Sequence, residues 1–243
     1  MFRLQILEKS EGDAVTIKAV VFDLDGTLAS FNIDYKTIRA EVRGFLIKQG
    51  LPASVLSINE STFEMLKKTE IFLKNNGKSE KVVEKIREKA SAMAEKYELE
   101  AAKTTDLLPG ALETLEILKK MNLKIGLCTL NSEKSVNYIL RQFRIAKFFD
   151  AVTPRNSVKQ VKPHTEHLEA TLKALEVSPE EAIVVGDSVR DMKCAKELKA
   201  TAVGLPTGVS SPKDLINSGA NYIITSLTDI PTLIEYINKS QRP

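Results

Sequence analysis

Short runs rich in aliphatic and β-branched residues recur at residues 17–22, 123–128, 182–185, 201–203 and 222–224, and they constrain the fold more than anything else in the chain. A strand with one wet face alternates apolar and polar side chains, whereas a strand covered on both faces is apolar throughout. Helical stripes lie between the runs. Ala111, Leu115 and Leu118 precede the second run, and Val136, Ile139, Leu140 and Phe143 follow it. Leu168, Leu172 and Leu175 precede the third, and Cys194, Ala195 and Leu198 follow it. Strand and helix in alternation predict an α/β fold: a doubly wound, mainly parallel sheet with a Rossmann-like core. The segment Ser178-Pro179-Glu180-Glu181 resembles a helix start, but the third run begins at once and leaves room for a single turn.

One connection breaks the rhythm. Roughly eighty residues separate Asp23 from the helix expected near Pro109, against about 2 to 6 in an ordinary strand-to-helix loop. Such a segment needs a core of its own. Tyr35, Ile38, Val42, Phe45 and Leu46 form one apolar face, and Val82, Val83, Ile86, Ala90, Met93, Ala94 and Tyr97 form another. Ser61 to Glu64 has the form of a capping box, and Asn75-Asn76-Gly77 separates two helices. The expected organisation is an all-helical domain, residues 31–105, inserted into an α/β core made of residues 1–30 and 106–243. The inserted segment holds 14 Lys and Arg against 11 Asp and Glu and is the mildly basic part of the chain.

Composition narrows the function classes. A formal charge of +3 among 35 basic and 32 acidic residues gives no general affinity for nucleic acid. No apolar run approaches the ~20 residues needed to cross a bilayer, so no membrane partner is expected. Residues 1–15 lack the apolar core of a signal peptide. Cys128 and Cys194 stand alone, without metal-site spacing, and read as buried small hydrophobes. A soluble protein in the reducing cytoplasm is the expectation, with monomer or homodimer left open.

Ligands of open α/β sheets collect at the carboxyl ends of the strands, and here those ends are polar. Asp23 and Asp25 follow the first run, Thr129 the second, and Gly186-Asp187-Ser188 the third, with Asp191 four residues beyond Asp187. Lys162 precedes Pro163 and a helix. Asp23 and Asp25, at i and i+2, leave an extended backbone on the same side, and paired carboxylates call for a cation or a shared proton. Four acids without His or Cys form an all-oxygen set that suits Mg2+, an ion commonly held by one or two carboxylates plus substrate phosphate. Gly26 lets the backbone turn and offer N–H groups to an anion, Thr129 offers a hydroxyl, and Lys162 offers a compact positive charge. The residues therefore imply phosphate as much as metal.

The order Asp23-Leu24-Asp25-Gly26-Thr27-Leu28, then Thr129, then Lys162-Pro163, then Gly186-Asp187-Ser188-Val189-Arg190-Asp191, resembles the four motifs of the haloacid dehalogenase-like hydrolase superfamily, phosphoglycolate phosphatase-like members above all. The resemblance covers nearly the whole chain from Ile17 onward, and the insertion matches the family's helical cap. It implies a Mg2+-dependent phosphatase acting on a small phosphorylated metabolite through an aspartyl-phosphate, with the cap closing over the site to select that substrate. Asp23 would be the nucleophile and Asp25 the general acid and base. Gly26, Thr129, Leu130 and Lys162 would bind phosphate. Asp23, Asp25 through its backbone carbonyl, Asp187 and Asp191 would hold the metal. Members that displace halide lack an acid at the place of Asp25, so the resemblance points to phosphate chemistry. Two positions depart from the phosphoglycolate phosphatase-like pattern. Leu130 stands where Asn commonly follows the motif Thr, with Asn131 one place later, and Ala29 replaces the usual Asp before Ser30.

Other readings are less favoured. A phosphomutase of the same superfamily would return the phosphoryl group to a sugar, and a receiver-like signalling module would keep it. In receivers the paired acids precede a separate phosphorylated Asp, whereas here the nucleophile belongs to the first pair. His164 and His167 could meet on one helical turn, but without completing ligands they read as a polar helix start. Gly204 to Ser211 reads as a plain loop.

Overall fold

The computed structural model describes residues 16–30 and 32–240. Residues 1–15, read above as lacking a signal peptide core, lie outside the described residues, as do Phe31 and 241–243 at the edges of the expected domains. The chain divides into two compact units, one of residues 1–31 and 105–243 and one of residues 32–104.

In the first unit, six parallel strands form one sheet: β1 (Ala19–Phe22), β2 (Lys124–Cys128), β3 (Ala151–Thr153), β4 (Ala182–Gly186), β5 (Thr201–Gly204) and β6 (Tyr222–Ile223), in the order β3-β2-β1-β4-β5-β6. β1 is central, and all four of its residues are fully buried, which is why its sequence is continuously apolar. Phe22 pairs with Leu127 on one side and with Val185 on the other, so Asp23 emerges level with the ends of β2 and β4. Chain order reverses between β1 and β4. In an open sheet that reversal opens a crevice at the strands' carboxyl ends.

Helices cover the sheet. α6 (Thr165–Leu175) packs on β2 and β3, and α7 (Val189–Glu197) packs on β4 and β5. Leu168, Leu172 and Leu175 of α6 join Cys194 and Ala195 of α7 in a core with Ala19 and Val21 of β1. Each fully buried Leu contributes about 1.5–3 kcal/mol. α4 (Ala111–Lys120) packs on β2 and on α9 (Ile230–Ser240), while α5 (Glu133–Gln142) follows β2 and α8 (Pro212–Asn217) packs on β5 and β6. The Pro179–Glu181 segment makes one 3-10 turn before β4. β3 is a strand that the apolar pattern did not predict: it is a three-residue edge strand whose middle residue, Val152, faces outward.

The second unit is helical throughout: α1 (Tyr35–Lys48), α2 (Thr62–Asn75) and α3 (Glu80–Lys103) share a core of Ile38, Val42, Leu46, Met65, Leu73, Val83, Ile86 and Ala90. Ser61 and Glu64 exchange the hydrogen bonds of a capping box at the start of α2. Asn76 caps the end of α2, and Gly77 takes φ +71 beyond it. Val82 departs from its expected place in the apolar stripe and is 42% exposed, since Val83 and Ile86 already fill the buried face. Among the described residues no helix is long and apolar enough to cross a membrane.

Candidate active site

β1 delivers Asp23 to the sheet's carboxyl edge, where its backbone N–H extends the ladder to Val185 O at 3.0 Å. The chain then turns back: Leu28 and Ala29 both donate to Leu24 O, and Gly26 donates to Ala29 O at 2.7 Å. Gly26 takes φ +77, and a Cβ there would lie 2.8 Å from Asp187 Oδ2, so both its backbone angle and its surroundings require glycine. Asp187 follows β4. Asp191 lies one turn into α7, where the Ser188 hydroxyl and the Ser188 N–H (3.2 Å) both donate to its Oδ2. This leaves Oδ1 to turn toward Lys162.

Lys162 draws the strand ends together. Its Nζ lies 2.8 Å from Asp23 Oδ1, 2.6 Å from Asp191 Oδ1 and 2.8 Å from Cys128 O, which satisfies all three of its donors. Burial pulls its pKa down, but Asp191 and Asp23 outweigh that and hold it well above the usual lysine range. Carboxylate oxygens of Asp23, Asp187 and Asp191 lie within 4.8 Å of one another. Burial pushes Asp23 up to about 6 despite Lys162, and burial followed by repulsion from Asp23 and Asp191 pushes Asp187 up to about 8. With all three ionised, three carboxylates against one ammonium leave two negative charges in excess, the amount that one divalent cation neutralises. The all-oxygen donor set, the spacing and the charge therefore fit Mg2+. Asp25 is buried after the strand has ended, and its side chain is not a member of this group of three. The extended geometry expected for the 23/25 pair stops at Asp23.

Thr129 closes β2 and is buried. Its N–H donates to Thr153 O at 3.2 Å, and its Oγ1 accepts from Asn131 N at 3.2 Å, which leaves the hydroxyl hydrogen for a further acceptor. Leu130 is half-buried, and its carbonyl accepts from Arg155 Nη1 at 3.1 Å. Asn131 O accepts from Arg155 N at 3.1 Å, so the backbone of this loop is held from both sides. The Asn131 side chain is buried, and its Nδ2 has no hydrogen-bond partner.

Residues 20–205 match the family model described as haloacid dehalogenase-like hydrolase. The chain belongs to this family. Within it, this chain is 29% identical over 126 residues to pyrophosphatase PpaX of Bacillus mycoides (strain KBAB4), a match covering 52% of this chain and 59% of that protein. It is 25% identical over 230 residues to pyrophosphatase PpaX of Bacillus cereus (strain G9842), covering 92% and 99%. Among solved structures it is similar to a hydrolase from Pseudomonas syringae, with TM-score 0.64 and 26% identity over 90% of this chain and 99% of that one.

Residues that sequence reasoning passed over also pack against this group. The segment after β5, expected to be a plain loop, is joined to the site at three points. Thr207 Oγ1 donates to Gly26 O, Val209 N donates to Asp187 Oδ2 at 2.8 Å, and Ser210 Oγ accepts from Val189 N at 3.2 Å. Gly208 lies so close that a Cβ would sit 1.9 Å from Asp187 Oδ2. The available signal was position: the loop leaves the carboxyl end of the strand beside β4. The two histidines also separate. His164 caps α6, its Nδ1 accepting from Glu166 N at 3.2 Å, but His167 is fully buried rather than part of a polar helix start. Both cysteines are buried free thiols, and burial pushes Cys128 up to about 11 and Cys194 up to about 12, so neither is primed as a nucleophile.

Proposed function

We propose that this hydrolase is a Mg2+-dependent phosphatase that cleaves a small phosphorylated metabolite through a phospho-Asp23 intermediate. The observation that carries the reading is the ring Asp23–Lys162–Asp191, with Asp187 beside it, at the carboxyl end of the central strand. A strand end buried in acid and held by one lysine is costly for stability alone. It becomes favourable when a cation and a phosphoryl group complete it.

Asp23, Asp187 and Asp191, with the Asp25 backbone carbonyl, would hold Mg2+, which supplies charge neutralisation to the phosphoryl oxygens. In the first step an Asp23 carboxylate oxygen bonds to phosphorus as the bond to the leaving oxygen breaks, and Asp25 gives that oxygen its proton. In the second, Asp25 takes a proton from a water whose oxygen attacks phosphorus. The Asp23–phosphorus link breaks, and phosphate leaves. Lys162, Thr129 and the loop at Leu130 steady the phosphoryl oxygens, and the unpartnered Asn131 Nδ2 is a buried donor that a substrate oxygen would satisfy. Two relatives, both named as pyrophosphatases, put pyrophosphate beside phosphoglycolate and sugar phosphates as substrates to try.

The test is phosphate release from a panel of those compounds, with Mg2+ and with chelator, by wild type and Asp23→Asn. Hydrolysis that needs the ion and falls at least about 10³-fold in the variant is expected. Turnover that survives either change rejects the assignment.

A further inference from the structure

His167 is a fully buried titratable side chain to which the reaction scheme gives no task. It stands on the first turn of α6, and the backbone engages both of its ring nitrogens. Nε2 lies 3.0 Å from Thr153 O. A carbonyl only accepts, so Nε2 carries the proton, and Nδ1 is left as an acceptor. Nδ1 faces the backbone N–H of Lys162 at 3.5 Å. Thr153 O is shared, since it also accepts the N–H of Thr129 at 3.2 Å. One ring thus links the end of β3, the residue closing β2 and the loop carrying the lysine.

Burial pushes the ring's pKa down to about 4, with the Lys162 charge adding to the effect, so the ring is neutral at ordinary pH. It is not placed to be a metal ligand, because both nitrogens face backbone partners and His164 is engaged in capping α6. Nor does filling space account for it. A phenyl ring would occupy similar volume without the cost of burying two polar nitrogens.

We propose that His167 is a positioning residue: held in a single Nε2–H tautomer, it fixes the Lys162 backbone against the Thr129–Thr153 strand end, so that ammonium and hydroxyl keep the spacing a phosphoryl group requires. The proposal rests on the reading of Lys162 and Thr129 as phosphate-binding groups. Through the ring, the end of β3 is tied to the lysine's backbone. Its far end is fixed separately, at Cys128 O and the two carboxylates. Loss of the ring's hydrogen bonds would leave the ammonium attracted to its acids but its loop free to shift.

The experiment uses the full chain in three forms: wild type, His167→Phe, which keeps a ring and removes both hydrogen bonds, and His167→Gln, whose amide can still reach Thr153 O. Long-range 15N–1H correlation at about pH 6 to 8 reads the tautomer without reference to activity. Calorimetry reads inorganic phosphate binding with Mg2+ present, and kinetics separate kcat from KM. We expect one Nε2–H tautomer in the wild type. In the Phe variant, kcat should fall by about 10- to 100-fold, phosphate binding should weaken about tenfold, and the Mg2+ requirement should hold, with partial recovery in the Gln variant. An Nδ1–H or charged ring overturns the proposal. So does a folded variant that binds phosphate and turns over like wild type; if Phe fails to fold, the Gln variant decides. A wild type that binds no phosphate would defeat the functional reading itself, and the tautomer result tells that failure from a failure of the bridge.

Discussion

Replacing Gly208 by Ala adds one carbon at a point where the structure has no room for it. The new Cβ would lie 1.9 Å from Asp187 Oδ2, 2.6 Å from its Cγ and 3.1 Å from its Cβ. Gly208 does not have a positive φ, so the backbone accepts alanine and the whole effect is steric. An ordinary carbon–oxygen contact near 3.4 Å demands that the pair separate by roughly 1.5 Å. Asp187 cannot make that move and keep the hydrogen bond from Val209 N, and Gly26 already packs close to the same carboxylate oxygen. Either the carboxylate swings out of the group it forms with Asp23 and Asp191, or the 205–211 loop lifts away. Each route forfeits a charge-assisted bond or strains the packing, a cost of about 1–3 kcal/mol. If Asp187 helps to hold the cation, divalent-ion affinity falls at least about tenfold, the equivalent of ~1.4 kcal/mol. Titrating Mg2+ or Mn2+ against the melting temperature measures this directly. Gly110→Ala is the control. Gly110 takes φ +79, and its Cβ would meet Thr228 Cγ2 at 2.7 Å, so that variant should lose stability while its ion dependence stays as in wild type. An unchanged ion affinity in Gly208→Ala would refute the argument that this loop sets Asp187.

Lys162→Met leaves Asp23 and Asp191 buried without their counter-charge and should cost about 3–5 kcal/mol in urea denaturation with chelator, part of it recovered with Mg2+; a loss below about 1 kcal/mol would show that the lysine does not stabilise the pair. Asp187 predicts a pH dependence of the ion-free protein. Its folded pKa, about 8, lies above the ordinary 3.8, so between those values the folded state binds more protons than the unfolded one and stability falls as pH rises. Asp187→Asn removes that loss. Its stability relative to wild type, measured with chelator, should grow from pH ~4 to pH ~8 by on the order of a few kcal/mol, and a flat difference would count against the burial argument.

Much of the fold could be read from the chain because its signal is local. β1 is apolar at every position, as a strand buried on both faces must be, and the stripe Leu168, Leu172, Leu175 needs only helical spacing to be seen. β3 escaped because three residues on an edge, one of them exposed, carry too little pattern. The stripe Ile230, Leu233, Ile234, Ile237 of α9 has the spacing and could have been read. The acids and Lys162 were legible as candidates for a physical reason too: charge at the end of an apolar strand is costly wherever it lies in a fold, and two such ends, with a lysine ahead of a helix, invite a shared explanation. What the sequence concealed is the layer behind them. His167 acts on backbone atoms of residues 5 and 14 positions away, and Gly208 matters through the absence of an atom beside a side chain 21 positions earlier. Neither a carbonyl acceptor nor an empty volume has a letter in the sequence. The groups proposed to meet phosphate are therefore recognisable by chemical type, while those proposed to hold them in place are recognisable only by shape, and only the first kind of signal is visible before the chain is folded.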